Sequence, residues 1–539
     1  MRRKTLSLAL AATTVATTAV ALTVIPQVSV ATPDTSAATP ETVRWGPCSE
    51  KADSPHKDAS SRKADSPREA DSPREADSPR KADSPRKGAS SRLECSTLKV
   101  PLDYRDPDGR QIEIAISRLA SEKPSQRRGV LLTNPGGPGI TGLGYPAVLA
   151  ASKLPQKVLD SYDVIGFDPR GVGRSTPVTC DLTPEQRNRG NLPPYAHTAA
   201  DVARAAGNAR TIAGQCATSR TAWMLPHTTT ANTARDMDRI RAALGEQTLS
   251  YLGGSYGSYL GAVYTTLFPG RGDRIVLDSN LGPGGYDVTA MRSLARGMED
   301  RFPDFAAFAA AHPEYGLGAT PEQVTAKFFE LAKRLEAKPV RGIDGTLFRG
   351  LTFDRLYSDA SMPLVAEMWQ ALDKDRPLPP DTPPSMENME NFMAARFYVT
   401  CGDSRWPETV REYQRDVAVD RLRYPMLGGS AASIGPCAFW PDERVEPPVR
   451  IGDRGPSNVL MVQNERDPGT PLAGAEKLRR AFGKRATMVT ADQGGHGVYP
   501  FGPNTCANDA VTAFLTTGQR PVRDLACAAE PDNLPSRRS

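Results

Sequence analysis

The chain has 539 residues, a formal charge of only +5 and a hydrophobic content of 39%. That length suits one large domain with an insertion, or two or three domains. The small, scattered Lys and Arg excess forms no broad basic field, which excludes nucleic-acid binding as the expected role.

The first residues, "MRRKTLSLALAATTVATTAVALTVIPQVSVA", read as a signal peptide over 1–31. A basic start at Arg2, Arg3 and Lys4 precedes an apolar run, and Ser29 and Ala31 supply the small residues of a cleavage site. No other stretch is apolar enough to span a bilayer, so a secreted protein without stable membrane insertion is expected. Residues 32–94 form an N-terminal segment containing a hexapeptide repeat, "KADSPR" and "EADSPR", over 51–92. Almost free of apolar side chains, the repeat cannot offset its ordering entropy and is expected to be disordered.

From 95 to 280 strands and helices alternate. "TLKVPLDY" and "QIEIAISRLA" read as a hairpin, followed by apolar strands in "GVLLTNPGGPG" and "YDVIGFDPRGVGRS". "TARDMDRIRAALG" has helical spacing and feeds the strand "LSYLG"; after it come the helix "SYLGAVYTTLFPG" and the strand "RIVLDS". From 281 to 455 the strand signal fades into helical segments such as "TPEQVTAKFFELAKRLEAK". It returns after 456 in "SNVLMVQNERDPGTP" and "RATMVTADQGGHG". The pattern predicts an α/β fold: a mostly parallel sheet flanked by helices, with an inserted helical cap.

Eight cysteines fit an oxidising compartment. None forms a Cys-x-x-Cys pair or lies near a histidine, so no metal site is expected. Loop-closure entropy favours neighbours in sequence: Cys48–Cys95, Cys180–Cys216, Cys401–Cys437 and Cys506–Cys527.

"GGSYG" places Ser255 between a strand and a helix, where a nucleophile elbow thrusts its hydroxyl out at the strand's carboxyl end. A serine needs a base. Of five histidines, His496 follows a late strand in a glycine loop, whereas His56 lies in the repeat, His312 in the cap, and His197 and His227 in loops before Ser255. The acid must lie between Ser255 and His496 after a strand, where Glu465 and Asp467 compete. Asp467 is chosen because the turn "PGTP" follows it and would aim its carboxylate inward. The oxyanion requires two donors: the N–H of Tyr256, and one from the loop "NPGGPG", with Gly137 the candidate.

Together "NPGGPG", "DPRGVGRS", "GGSYGSYLGAVYTTLFP", "RDPGTP" and "GGHGVY" resemble the secreted tripeptidyl aminopeptidases of actinobacteria, in the prolyl-aminopeptidase-like branch of the α/β-hydrolases. The resemblance runs from Trp45 to Cys527 except for the repeat. It implies a serine exopeptidase that releases short peptides, tripeptides in the name of the family, from substrates with a free amino terminus. A monomer without metal or cofactor is expected. Asp403, two residues beyond Cys401 as in a Cys-x-Asp pattern of the family, is the candidate for binding the substrate amine; its alternative role is to cap a turn. Two other functions remain open: a secreted carboxylesterase with the same triad, and a wall-associated binding protein with an inactive hydrolase domain.

Overall fold

A computed structural model describes residues 43–48 and 89–530, apart from 153, 189–191, 381, 383–387 and 442–443. The signal-peptide reading and most of the repeat lie outside the described residues. The last four repeat residues do not: Ala89 is buried, Ser90–Arg92 forms a 3-10 turn, and Arg92 pairs with Glu122 at 2.7 Å. The folded chain therefore includes the repeat's end, because one small apolar side chain and one ion pair find partners on the core.

Ten strands of the described residues form one sheet in the order β1-β2-β3-β5-β4-β6-β7-β8-β9-β10. β1 (Gly46–Pro47), β2 (Glu94–Pro101) and β3 (Gln111–Leu119) are antiparallel neighbours at one end, and β3 joins β5 (Tyr162–Phe167) antiparallel. From β5 onward, through β4 (Gly129–Asn134), β6 (Leu249–Gly254), β7 (Gly272–Asp278), β8 (Val459–Arg466), β9 (Ala486–Gly494) and β10 (Leu525–Cys527), all pairs are parallel. The apolar runs explain the division. β5, "YDVIGF", is buried at every position, as a parallel strand covered on both faces requires. β3, "QIEIAISRL", begins with exposed Gln111 and Glu113 alternating with buried Ile112 and Ile114.

Alternate residues serve the two faces of the sheet. Val130 and Leu132 of β4, with Val459 and Met461 of β8, join one apolar cluster; Leu131, Leu460 and Val462 join the other. This is the α/β-hydrolase architecture. It carries the strands' carboxyl ends, and whatever hangs from them, to one edge.

The insertion has a core of its own. Phe302, Phe305, Phe328 and Phe348 surround fully buried Trp369, with ring centroids 5.0–6.0 Å from the indole. Truncating one of these rings should cost about 3–5 kcal/mol. Packing crosses the boundaries expected at 281 and 455. The helix Ala199–Thr218 packs with Tyr413 and Val417 of the insertion, so an earlier stretch also builds the cap. Conversely the helix Met389–Asp403 belongs to the sheet's apolar cluster through Phe392, Met393 and Tyr398. Amphipathic spacing shows that a helix has an apolar face, but not which core that face joins.

All four disulfides join sequence neighbours: Cys48–Cys95, Cys180–Cys216, Cys401–Cys437 and Cys506–Cys527.

Candidate active site

Ser255 follows β6 and occupies the N-cap position of the helix Tyr256–Leu267 without a side-chain capping bond, at φ 55° and ψ −124°. A non-glycine residue held there costs about 1–3 kcal/mol, so the surroundings must enforce it. They do so at close range: a side chain at Gly257 would meet Asn134 Oδ1 at 2.9 Å, and one at Gly136 would meet Ser255 Cβ at 2.8 Å. The loop after β4 thus presses on the elbow.

The end of β7 ties this turn to the next loop. Asp278 accepts the Ser255 N–H through its main-chain oxygen at 2.9 Å. Its buried carboxylate accepts the N–H groups of Val498 (3.0 Å) and Tyr499 (2.7 Å), and Ser279 Oγ accepts that of Gly497 at 2.8 Å. Burial pushes the Asp278 carboxyl up to about 6, against those donated bonds. One aspartate therefore carries both the elbow and the loop of His496.

His496 projects from that loop with its side chain 14% exposed. Its Nδ1 lies 2.9 and 3.0 Å from the two oxygens of Asp467, which is 1% exposed. Asp467 also accepts the N–H groups of Gly469 and Thr470 (both 2.9 Å) and the Thr470 hydroxyl (2.8 Å). Glu465, its competitor, is exposed. Burial acts to lower the His496 pKa, but the Asp467 charge and hydrogen bond prevail and raise it above 6.5. With Nδ1 engaged, Nε2 is the ring nitrogen left for proton transfer. The other described histidines have different surroundings: His197 pairs with Glu336, His312 sits against the Phe308 carbonyl, and burial lowers the pKa of His227.

In the "NPGGPG" loop the Gly136 N–H is committed to Asn134 Oδ1 at 3.0 Å, while the Gly137 carbonyl accepts Arg396 Nη1 at 2.9 Å. Tyr256 is buried, and its hydroxyl lies 2.6 Å from Thr230 Oγ1. Thr230 in turn donates its N–H (2.9 Å) and its hydroxyl (2.5 Å) to the two oxygens of Asp403. Asp403 is half-buried, and desolvation pushes its carboxyl up to about 6. It receives the first N–H of the helix Thr230–Ala243, where the positive helix end favours a carboxylate. The geometry thus gives Asp403 a capping contact, one bond away from the residue that follows Ser255.

A strained serine, an imidazole and a buried carboxylate on adjoining strand ends, in that chain order, can carry out nucleophilic acyl transfer. A profile of the TAP-like protein family matches residues 424–527. The chain is 38% identical to the tripeptidyl aminopeptidase of Streptomyces lividans, over 81% of this chain and 84% of that protein. The chain belongs to the tripeptidyl aminopeptidase family. Members of the wider family with other names are also similar: serine protease Hip1 of Mycobacterium tuberculosis at 30% identity (80% of this chain, 87% of that protein) and its carboxylesterase B at 30% (80% and 86%). Among solved structures, the proline iminopeptidase of Mycobacterium smegmatis aligns over 78% of this chain and 97% of its own, with a TM-score of 0.39 and 15% identity.

Several residues around the site escaped the sequence reading. Asp278 had a signal, since "RIVLDS" ends an apolar strand on a carboxylate. Tyr357 had none: its ring lies 4.7 Å from that of His496, and its carbonyl accepts the His496 N–H at 2.7 Å. Buried Arg301 brings it there, donating to the Leu356 carbonyl at 3.0 Å and pairing with Asp304 and Asp359. Arg466 extends this seam from β8, reaching Asp304 at 3.0 Å and Asp492 at 2.6 Å.

Proposed function

We propose that the chain is an exported serine exopeptidase that releases tripeptides from free amino termini through an acyl-enzyme. Ser255 Oγ attacks the scissile carbonyl while His496 Nε2 takes its proton and then passes it to the leaving amine. Asp467 holds the imidazole in one tautomer and stabilises its cation without taking the proton. Water then repeats the sequence to free the peptide. The N–H groups of Tyr256 and Gly137 face the oxyanion; Gly136, whose N–H is already bonded to Asn134, is not available for this.

The observation that carries this reading is the Asp467–His496 pair, docked through Asp278 onto the strand end that holds Ser255. The name of the Streptomyces relative supports tripeptide release, and four disulfides support an oxidising compartment. The resemblance to carboxylesterase B favours a second reading, an esterase with the same triad. A peptide ladder with free or acetylated amino ends, read by mass spectrometry, separates the two. Tripeptides released from free ends alone are expected. Ester turnover with every peptide left intact would establish the esterase. Failure of a fluorophosphonate to label Ser255 would remove both.

A further inference from the structure

The helix Met389–Asp403 borders a cavity of about 360 Å³, which it shares with the helices Ala199–Thr218 and Val288–Ala310 and the stretch 431–437. That volume lies in the range of small-ligand sites, roughly 300–1,000 Å³. Most of the wall is apolar, with Ile212, Met291, Met393, Phe397, Trp406 and Ile434 on it.

Contacts of two of these helices set the cavity beside the catalytic loops. Arg396 lines it, and the same side chain donates to the Gly137 carbonyl at 2.9 Å. One turn earlier, the Phe392 carbonyl oxygen lies 2.5 Å from where a side chain at Gly139 would begin. A side chain at Gly136 would meet Ser255 Cβ at 2.8 Å and Tyr256 N at 3.3 Å, so Gly136 and Gly137 bridge the cavity wall to the nucleophile. On the other side, Val288 and Met291 line the cavity, and Gly297 of their helix packs on the main chain of Pro468, next to Asp467. The cavity is thus bounded by the helices that brace the oxyanion loop and the acid loop.

Three hydroxyls on this wall have no partner. Thr400, Tyr413 and Ser433 are 7%, 3% and 7% exposed, and their side-chain oxygens make no hydrogen bond among the described residues. A hydroxyl buried unpaired costs stability, so three around one space mark it for a ligand that brings donors and acceptors of its own. A hydrocarbon chain would leave them unpaired, whereas a peptide main chain supplies both kinds of group. The walls also disfavour charge. Of the charged residues lining the cavity, Glu185 is exposed, and Arg396 is held on the Gly137 carbonyl and 4.8 Å over the Tyr286 ring.

We propose that this cavity receives the part of the substrate that is released, with uncharged apolar side chains against its walls and amide groups on Thr400, Tyr413 and Ser433. This rests on the exopeptidase reading above and adds to it a side-chain specificity.

The test uses three fluorogenic tripeptide amides that share the residue at the cleaved bond and carry two glycines, two leucines or two lysines ahead of it. In the wild type, kcat/KM for the leucine probe should exceed that for the glycine probe by about 10- to 100-fold, and the lysine probe should gain nothing. Ala209 is buried on the wall, so Ala209→Phe fills the cavity and should cut the leucine advantage about 10-fold. The glycine probe is the internal reference, because general damage lowers both probes alike. Thr400→Val keeps the shape and removes one hydroxyl. It should lower kcat/KM for all cleaved peptides about 3- to 10-fold, through KM, while Tm holds or rises because no hydrogen bond is lost from the folded protein. No leucine advantage in the wild type, an advantage undiminished in Ala209→Phe, or a Thr400→Val that lowers Tm and spares kcat/KM overturns the assignment and leaves the exopeptidase reading standing. A wild type that turns over p-nitrophenyl acetate and none of the three amides overturns that reading itself, and the proposal with it.

Discussion

Ser255, Asp467 and His496 hang from the ends of strands, whereas Tyr357 lies just beyond the cap helix Gly345–Arg355. Tyr357 meets His496, but the two sides are held in different ways. Strand ends are fixed by the register of a buried parallel sheet, and Asp278 locks the elbow to the base loop with short bonds. The cap residues are placed by packing and by the arginine seam of Arg301 and Arg466. The proposed triad therefore sits on the stiffer support.

Substitutions on the two sides should separate these roles. Ser255→Ala or His496→Ala should lower kcat about 10⁴- to 10⁶-fold on peptides and esters alike, and Asp467→Asn about 10⁴-fold, without additivity. Glu465→Gln should leave the rate within about twofold, since exposed surface changes seldom reach the site. Steady-state kinetics on both substrate classes make the check. Loss confined to amine-bearing substrates in Ser255→Ala would erase the distinction between the two regions.

The legibility of each group in the sequence follows the same division. Ser255 announces itself because a strained turn demands glycines beside it, and His496 because its glycine loop must leave a strand. Asp467 could be chosen over Glu465 only through the turn after it. In the structure that turn supplies the two N–H groups and the hydroxyl that hold the carboxylate. No local pattern marks Tyr357 or Arg396. What matters is which side chains come together once distant segments pack.

A smaller effect is expected in the pH profile. A protonated imidazole cannot accept the serine proton, so kcat should fall as pH drops through the His496 pKa, which Asp467 holds above 6.5. This acid limb belongs to all substrates. Profiles for an ester and for a peptide amide should therefore share this acid limb. Acid limbs that differ between the two would mean that His496 is not the base common to both.

The smallest effect should come from the repeat. Its two flanks are joined on the sheet, where β1 pairs with β2 and Cys48 binds Cys95 across a separation of 47 residues. Deleting 51–86 leaves four residues between Cys48 and Ala89 and spares the turn Ser90–Arg92 with its Arg92–Glu122 pair. While the disulfide is intact, the loop is closed in folded and unfolded chains alike. Shortening it then changes little, and both Tm and kcat/KM should stay at the parental values. Mutating Cys48 and Cys95 to serine removes that equivalence, because folding alone must then close the loop. The deletion cuts the separation about fourfold, two doublings, which is worth about 1 kcal/mol in favour of the shorter chain. Denaturant melts of the four chains, with and without the deletion and the disulfide, measure this directly. A loss of stability on deletion with the disulfide intact would show that the repeat contributes packed contacts of its own, and the comparison would then need a third region.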